Sequence, residues 1–264
     1  LAAGALAWLA PGPRYFLGRE FDDAPVRYAS FSAQDTTAVV EHDQPVEPAI
    51  RRLVSAGVSY SGDSLFAQRY MRLLAHLPAM SAAHRTRALV VCVGTGTTLD
   101  ALRRHPFARI DAVDLDPTIR ATLRSFAHVH HGAPDDPRVR LVIDDGDRWL
   151  SATPLATYDV ITLEPPPPRA PGGSTLYSVE LYTRARAALR TGGVVAQWLP
   201  LHDLGAWEAA SLTRTFLEVF PRASLHLAER NEAILLSDRA ATPARAEGAL
   251  AAELAAIGMR DVDP

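Results

Sequence analysis

Residues 87–98 read Arg-Ala-Leu-Val-Val-Cys-Val-Gly-Thr-Gly-Thr-Thr. The apolar run from Ala88 to Val93 is continuous rather than alternating, the pattern of a short strand buried on both faces. It breaks at two glycines, and Thr97 to Arg104 then reads as a helix. Four more runs have this character: Ile110–Val113, Val139–Ile143, Tyr158–Leu163 and Gly193–Trp198. The helical patterns among them include Pro117–Ala127, Ser178–Leu189 and Ala206–Val219. Strands alternating with helices predict a parallel sheet covered on both faces. Ala223–Leu227 and Ala233–Leu236, joined by Glu229-Arg230-Asn231-Glu232, predict an antiparallel hairpin at the sheet edge.

Upstream the rhythm changes. Phe21 to Val40 is short and alternating and predicts a small set of strands, and Pro45, Pro48, Gly57 and Gly62 keep the next stretch rich in loops. Ser64 to Leu77 predicts a helix, with Pro78 after it. Leu1 to Ala10 is almost wholly apolar and stops at Pro11-Gly12-Pro13. Such a run is shorter than the roughly 20 residues that span a bilayer. It is read as the trailing end of a transmembrane helix, with Trp8, Tyr15, Arg14 and Arg19 at the interface. That reading is preferred to a hydrophobic stub packed on the domain, since no basic segment precedes the run as a secretory signal requires. The Ala-rich tail, Pro243 to Met259, reads as helical. The expected organisation is a hydrophobic stub and linker at 1–20, a β-rich region with a helix at 21–86, a nucleoside-binding core at 87–240 and a C-terminal helix at 241–264.

The chain has 264 residues, a net charge of -3, 48% hydrophobic and 22% charged residues, an ordinary globular composition. All 27 of its basic residues other than histidine are arginine. Without lysine there is no Schiff-base or pyridoxal chemistry and no phosphate-binding Walker loop. Arginine, protonated at any useful pH, does not replace lysine as a base. The single cysteine, Cys92, excludes an internal disulfide and a thiolate-rich zinc site. The slight excess of acid gives no electrostatic argument for nucleic acid. Arg51-Arg52 and Arg103-Arg104 are read as solvated pairs on amphipathic helices.

In open parallel sheets ligands sit beyond the carboxyl ends of the strands. After the first strand, Gly94, Thr95 and Gly96 open a helix, where small residues let backbone approach a ligand. The third glycine of a dinucleotide fingerprint would fall at Leu99, which disfavours a pyrophosphate. Asp114 follows the second strand, eighteen positions beyond Gly96, a spacing suited to accepting ribose hydroxyls. Asp116 better suits the cap of a helix starting at Pro117. Asp144, Asp145, Gly146 and Asp147 follow the third strand, and three carboxylates in one turn are expected to need a ligand donor such as an adenine amino group. The fourth strand runs into Glu164 and four prolines, which present Glu164 near the reacting centre, and Gly172 to Tyr177 re-enters as a flap. A glycine turn, an acid for ribose and an acid for adenine suggest a phosphate-free nucleoside such as S-adenosylmethionine or a relative. The His128, His130, His131 cluster is not read as a metal site.

From about Arg27 to Leu236 the chain resembles the spermidine synthase (polyamine aminopropyltransferase) family, particularly bacterial members in which transmembrane helices precede the synthase domain. The matching pieces are Tyr70 with His76-Leu77-Pro78, Val91 to Thr98, Val113-Asp114-Leu115-Asp116, Asp136-Pro137-Arg138-Val139, Asp145-Gly146 with Trp149-Leu150, Tyr158-Asp159-Val160-Ile161, Leu176-Tyr177-Ser178 and Gly192-Gly193-Val194. The resemblance implies an α/β fold, a small β-rich N-terminal domain leading into a Rossmann-like core of the class I S-adenosylmethionine methyltransferase type with a mostly parallel seven-stranded sheet. It implies decarboxylated S-adenosylmethionine as co-substrate, with Asp114 on ribose and Asp145 on adenine, and no metal.

The expected site is Glu164 as base or orienter, Gly94, Thr95, Gly96, Asp114, Asp145 and Gly146 around the nucleoside, and Tyr70 and Tyr177 bordering the acceptor pocket. The expected reaction is aminopropyl transfer to a small-molecule amine, in a homo-oligomer without nucleic acid, as a cytoplasmic domain tethered to the membrane through its N-terminal segment. The chain departs from the family's pattern at Cys92, where a glycine stands in the family, at Thr95 and Pro167, where it has acids, and at Met71-Arg72, where many members have His and Glu. Methyl transfer from intact S-adenosylmethionine and a non-catalytic nucleoside-sensing domain are the alternatives.

Overall fold

The computed structural model describes residues 19, 21, 24–31, 36–43, 49–55, 57–229 and 231–237. A seven-stranded sheet is built around β5 (Arg87–Val91), with β6 (Arg109–Asp114) and β8 (Tyr158–Leu163) parallel to it on either side. Outside them lie β7 (Val139–Ile143) and β9 (Leu189–Leu199), also parallel. The hairpin of β10 (Ser224–Glu229) and β11 (Glu232–Leu236) closes one edge antiparallel, giving the order β10-β11-β9-β8-β5-β6-β7. Every residue of β8 is buried, as a central parallel strand covered on both faces requires.

A second sheet, β1 (Val26–Phe31), β2 (Thr36–His42), β3 (Ile50–Ser55) and β4 (Val58–Gly62), is an antiparallel meander. It leads into α1 (Leu65–Ser81), whose N-cap Ser64 accepts a hydrogen bond from the Ala67 N–H at 3.2 Å. One face of α1, with Tyr70, Met71, Leu74 and Ala75, is buried in the main core, where each large side chain contributes about 1.5–3 kcal/mol. The remaining helices are α2 (Thr97–Arg103), α3 (Ile119–Arg124), α4 (Ala127–His130), α5 (Gly146–Ala152), α6 (Val179–Ala188) and α7 (Ala206–Val219).

Several expectations are corrected. Helix α1 passes through Pro78 rather than ending before it. The ring removes only the N–H that would reach the Leu74 carbonyl, and Ala82 N–H still bonds Pro78 O at 2.9 Å. Arg51 and Arg52 lie on strand β3, not on a helix. Arg51 bonds Glu41 across the sheet at 2.9 Å and donates to the Ser125 carbonyl, tying sheet to core. Arg103 and Arg104 are not simply solvated, because both bond the buried carboxylate of Asp100. The helix expected at Pro117–Ala127 starts only at Ile119 and is interrupted before α4. Asp116 takes the N–H and hydroxyl of Thr118 in a local turn, both at 2.7 Å, and a hydroxyl from Thr37.

The apolar segment Leu1–Ala10 and the helical tail Pro243–Met259 lie outside the described residues. Among the described residues no helix is long and apolar enough to cross a membrane.

Candidate active site

The glycine turn leaves β5 with three residues in the left-handed region: Cys92 (φ 66°), Gly94 (φ 55°) and Gly96 (φ 81°). A Cβ on Gly96 would meet the Leu123 side chain at 2.9 Å and His130 Cβ at 3.0 Å, so this glycine lets α2 pack against α3 and α4. Gly94 faces Ser61 of β4 instead. Thr95 is buried, its hydroxyl donating to the Met71 sulfur at 3.4 Å and sharing a bond with the Thr97 hydroxyl at 2.9 Å. Burial, with the charges of Asp114, Glu164 and Asp145, pushes the Cys92 thiol well up, so it remains protonated.

Asp114, at the end of β6, accepts the N–H groups of Val93 at 2.8 Å and Gly94 at 3.4 Å on one oxygen and that of Asp116 at 2.9 Å on the other. It therefore fixes the glycine turn. Burial raises its carboxyl above the ordinary value against those backbone bonds. The Asp144 N–H bonds the Asp114 carbonyl at 3.0 Å, so the ends of β6 and β7 are adjacent, and exposed Leu115 and Ile143 lie beside them. Asp145 is the N-cap of α5, accepting the Arg148 N–H at 2.8 Å. Gly146 sits so close to β5 that a Cβ would meet Val91 Cγ1 at 2.4 Å.

The expectation that three neighbouring carboxylates need a ligand donor is corrected. Asp144 pairs with Arg148, Asp147 pairs with Arg184, and Asp145 caps a helix, so each charge has a partner within the fold.

Glu164 ends β8. Tyr70 donates to its Oε1 at 3.1 Å, and Thr98, from the first turn of α2, donates to its Oε2 at 2.7 Å. Burial pushes this carboxyl up to about 7, against the two hydroxyl bonds and with help from the charge of Glu232. Burial and both glutamates push the Tyr70 phenol well up, so it stays a donor. Tyr177 is buried and donates to the Pro165 carbonyl at 3.3 Å, bracing the proline segment. The return of the chain is tight, since a Cβ on Gly173 would meet Pro167 O at 2.4 Å.

Beside Tyr70 a cavity of about 500 Å³ opens between β3, β4, the start of α1 and the edge hairpin. Its wall includes Ser61, Tyr70, His202, Glu229 and Glu232, but not Tyr177. The structure thus brings Glu164 and Tyr70 together, joins Asp114 to the glycine turn, and sets Thr95 and Tyr177 into the packing behind them. Thr98, Ser61, Trp198, His202 and Glu232 were not singled out by sequence reasoning. Only Thr98 carried a signal, as part of the glycine turn. A single acid at the turn of a hairpin looks like any surface glutamate.

The three histidines diverge: His128 bonds Asp63, His130 the Leu123 carbonyl and His131 Asp100. Among the described residues no group of three or more His, Cys, Asp or Glu is arranged to hold a metal.

A family model described as the spermine/spermidine synthase domain matches residues 67–203. Polyamine aminopropyltransferase 1 of Pseudomonas aeruginosa is 35% identical over 128 residues, 48% of this chain and 44% of the relative. Putrescine N-methyltransferase 1 of Nicotiana tabacum is 31% identical over 139 residues, 50% of this chain and 37% of the relative. The chain therefore spans less than half the length of either. A spermidine synthase in complex with the transition-state analogue AdoDATO superposes with a TM-score of 0.71 at 21% identity, covering 83% of this chain and 75% of that one, a likeness of fold.

Proposed function

Because the chain belongs to the spermine/spermidine synthase family, we propose that it binds decarboxylated S-adenosylmethionine in the crevice around Asp114 and transfers the aminopropyl group to an amine acceptor. Glu164 carries the proposal: a buried carboxyl raised to about 7 by burial, bonded by Tyr70 of the cavity wall and by Thr98 of the helix that follows the glycine turn. A base with its pKa near neutrality is matched to taking a proton from an amine. The acceptor nitrogen attacks the methylene carbon bonded to the sulfonium. The C–N bond forms as the C–S bond breaks, sulfur leaves with the bonding pair as neutral methylthioadenosine, and the proton on nitrogen passes to Glu164. The cationic sulfur is a good leaving group, so alignment supplies most of the acceleration.

The residues present fit the nucleoside. Asp114 keeps a lone pair on Oδ1 for a ribose hydroxyl after its three backbone bonds, exposed Leu115 and Ile143 supply apolar surface, and Asp145, capping α5, is the acid proposed for the adenine amino group. Asp114→Asn is expected to raise the nucleoside Kd about 10- to 100-fold, because an amide cannot accept every bond that both carboxylate oxygens now take. Calorimetric titration measures this, and an unchanged Kd would remove Asp114 from the site.

Product identification tests the reaction. With decarboxylated S-adenosylmethionine and a panel of amines, released methylthioadenosine is expected. Release of S-adenosylhomocysteine from intact S-adenosylmethionine, with no methylthioadenosine, would replace this reading by methyl transfer. Neither product would overturn both. The wider reading is a cytoplasmic homo-oligomer without nucleic acid, held to the membrane by the apolar run Leu1–Ala10, and it rests on the sequence.

A further inference from the structure

We infer that Thr37, on β2 of the small sheet, is a positioning residue for the nucleoside: its hydroxyl anchors Asp116, and Asp116 in turn orients the Asp114 carboxylate toward the ribose. The inference rests on the reading that places the ribose at Asp114.

Strand β2 meets the core with one face. On it Val39, with Leu53 of β3, packs against Phe126 and Val129. Thr37, two positions earlier and so on the same side of the strand, reaches the turn after β6. It is the polar member of the buried stretch Thr37-Ala38-Val39-Val40 and is only 4% exposed. A hydroxyl buried this far needs a partner, and its Oγ1 donates to Asp116 Oδ2 at 3.1 Å across 79 positions of sequence.

The other side-chain bonds of Asp116 stay within its own turn. Oδ1 accepts the N–H and the hydroxyl of Thr118, both at 2.7 Å, and Oδ2 accepts the same hydroxyl at 3.0 Å. Those bonds move with the turn. Thr37, in contrast, sits in a strand paired on both sides, with Ser30 of β1 and Ser55 of β3, and so ties the turn to a separate rigid element. The Asp116 N–H donates to Asp114 Oδ1 at 2.9 Å, the oxygen that keeps a lone pair for the ribose. Oδ2 of Asp114 is occupied by the N–H groups of Val93 and Gly94. The direction of the ribose-facing oxygen therefore depends on where the Asp116 backbone is held. Exposed Leu115 lies between the two acids, so the same anchor sets the apolar surface beside them. Arg51 on the Ser125 carbonyl and His128 on Asp63 keep the small sheet docked without the Thr37 hydroxyl.

Calorimetry with methylthioadenosine and its 2′,3′-dideoxy form, which lacks both ribose hydroxyls, tests this on the wild-type protein, Thr37→Val and Thr37→Ser. The wild-type protein is expected to bind methylthioadenosine about 10- to 100-fold more tightly than the dideoxy form. Valine keeps the branched shape that suits a strand. Thr37→Val is expected to weaken methylthioadenosine about 3- to 10-fold, to leave the dideoxy form within about twofold, and to keep Tm within about 3 °C. Thr37→Ser, which restores the hydroxyl, is expected to bind both within about twofold of wild type. In turnover, KM for decarboxylated S-adenosylmethionine rises in Thr37→Val while kcat at saturation stays within about twofold. The inference is overturned if Thr37→Val binds methylthioadenosine as the wild-type protein does, if it weakens both forms alike, or if serine fails to rescue. A wild-type protein that binds the two forms equally would remove the ribose from Asp114 and overturn the reading beneath the inference. A wild-type preference for the hydroxylated form that Thr37→Val leaves intact would overturn the role of Thr37 alone.

Discussion

Glu164→Gln is expected to lower kcat about 10²- to 10⁴-fold, the range of a lost general base, with the nucleoside Kd unchanged. The amide keeps the size of the side chain and one acceptor oxygen for Thr98 or Tyr70, but cannot take a proton from the attacking amine. The pH profile separates this from a structural defect. In the wild-type protein the rate should rise with pH through about 7 as Glu164 ionises, and in the variant that limb disappears, leaving only the rise due to the amine itself.

Stability should move the other way. The folded carboxyl titrates at about 7 against an ordinary 4.5, so its stabilising contribution is complete below 4.5 and lost as pH rises through 7. At pH 8 the ionised form costs up to about 3 kcal/mol, with the hydroxyl bonds that favour it already counted in the value of about 7. Glu164→Gln should therefore be more stable than the wild-type protein at pH 8, by about 1–3 kcal/mol, and should lose that advantage at pH 4. Thermal unfolding at the two pH values measures it. A variant that is inactive but equally destabilised at both would show that Glu164 acts through packing.

Asp100→Asn is expected to cost about 3–5 kcal/mol, the usual penalty for breaking a buried ion pair, and to lower Tm by about 10 °C. Asp100 is fully buried in α2 and takes bonds from Arg103 at 2.8 Å, Arg104 at 3.1 Å, His131 at 3.1 Å and Arg72 at 3.2 Å, the last itself buried. Burial pushes its pKa up, but Arg103, His131 and Arg104 outweigh that and hold it below the ordinary value. The stabilisation is thus present above the ordinary carboxylate range and lost as pH falls through the depressed pKa. The residue ties α1, α4 and the turn at His131 to the helix that carries Thr98. A Tm within about 2 °C of wild type would show that the four bonds contribute little net free energy.

The departures from the family pattern illustrate what a sequence conceals. Arg72 stands where many members of the family have Glu, yet it is the buried partner of Asp100. Met71 contributes its sulfur as an acceptor for Thr95. Asp144 and Asp147 read as carboxylates in need of a ligand, because Arg184 lies far along the chain and the reach of Arg148 depends on the turn geometry.

The parallel core was legible because a strand covered on both faces must be apolar throughout, and strand ends, glycine turn and edge hairpin follow from that rhythm. Asp114 and Glu164 were legible for the same reason, since each stands where an apolar run ends at the ligand side of the sheet. The sequence by itself therefore determined the sheet, the carboxyl ends of its parallel strands and the two acids set there. Only the tertiary structure decided what surrounds Glu164. Tyr70 arrives from α1 and Thr98 from α2, while Trp198, from β9, stacks on Tyr70 and Glu232, from the edge hairpin, adds its charge. Burial raises a carboxyl's pKa only once these separate segments close around it, and no local pattern of residues encodes that closure.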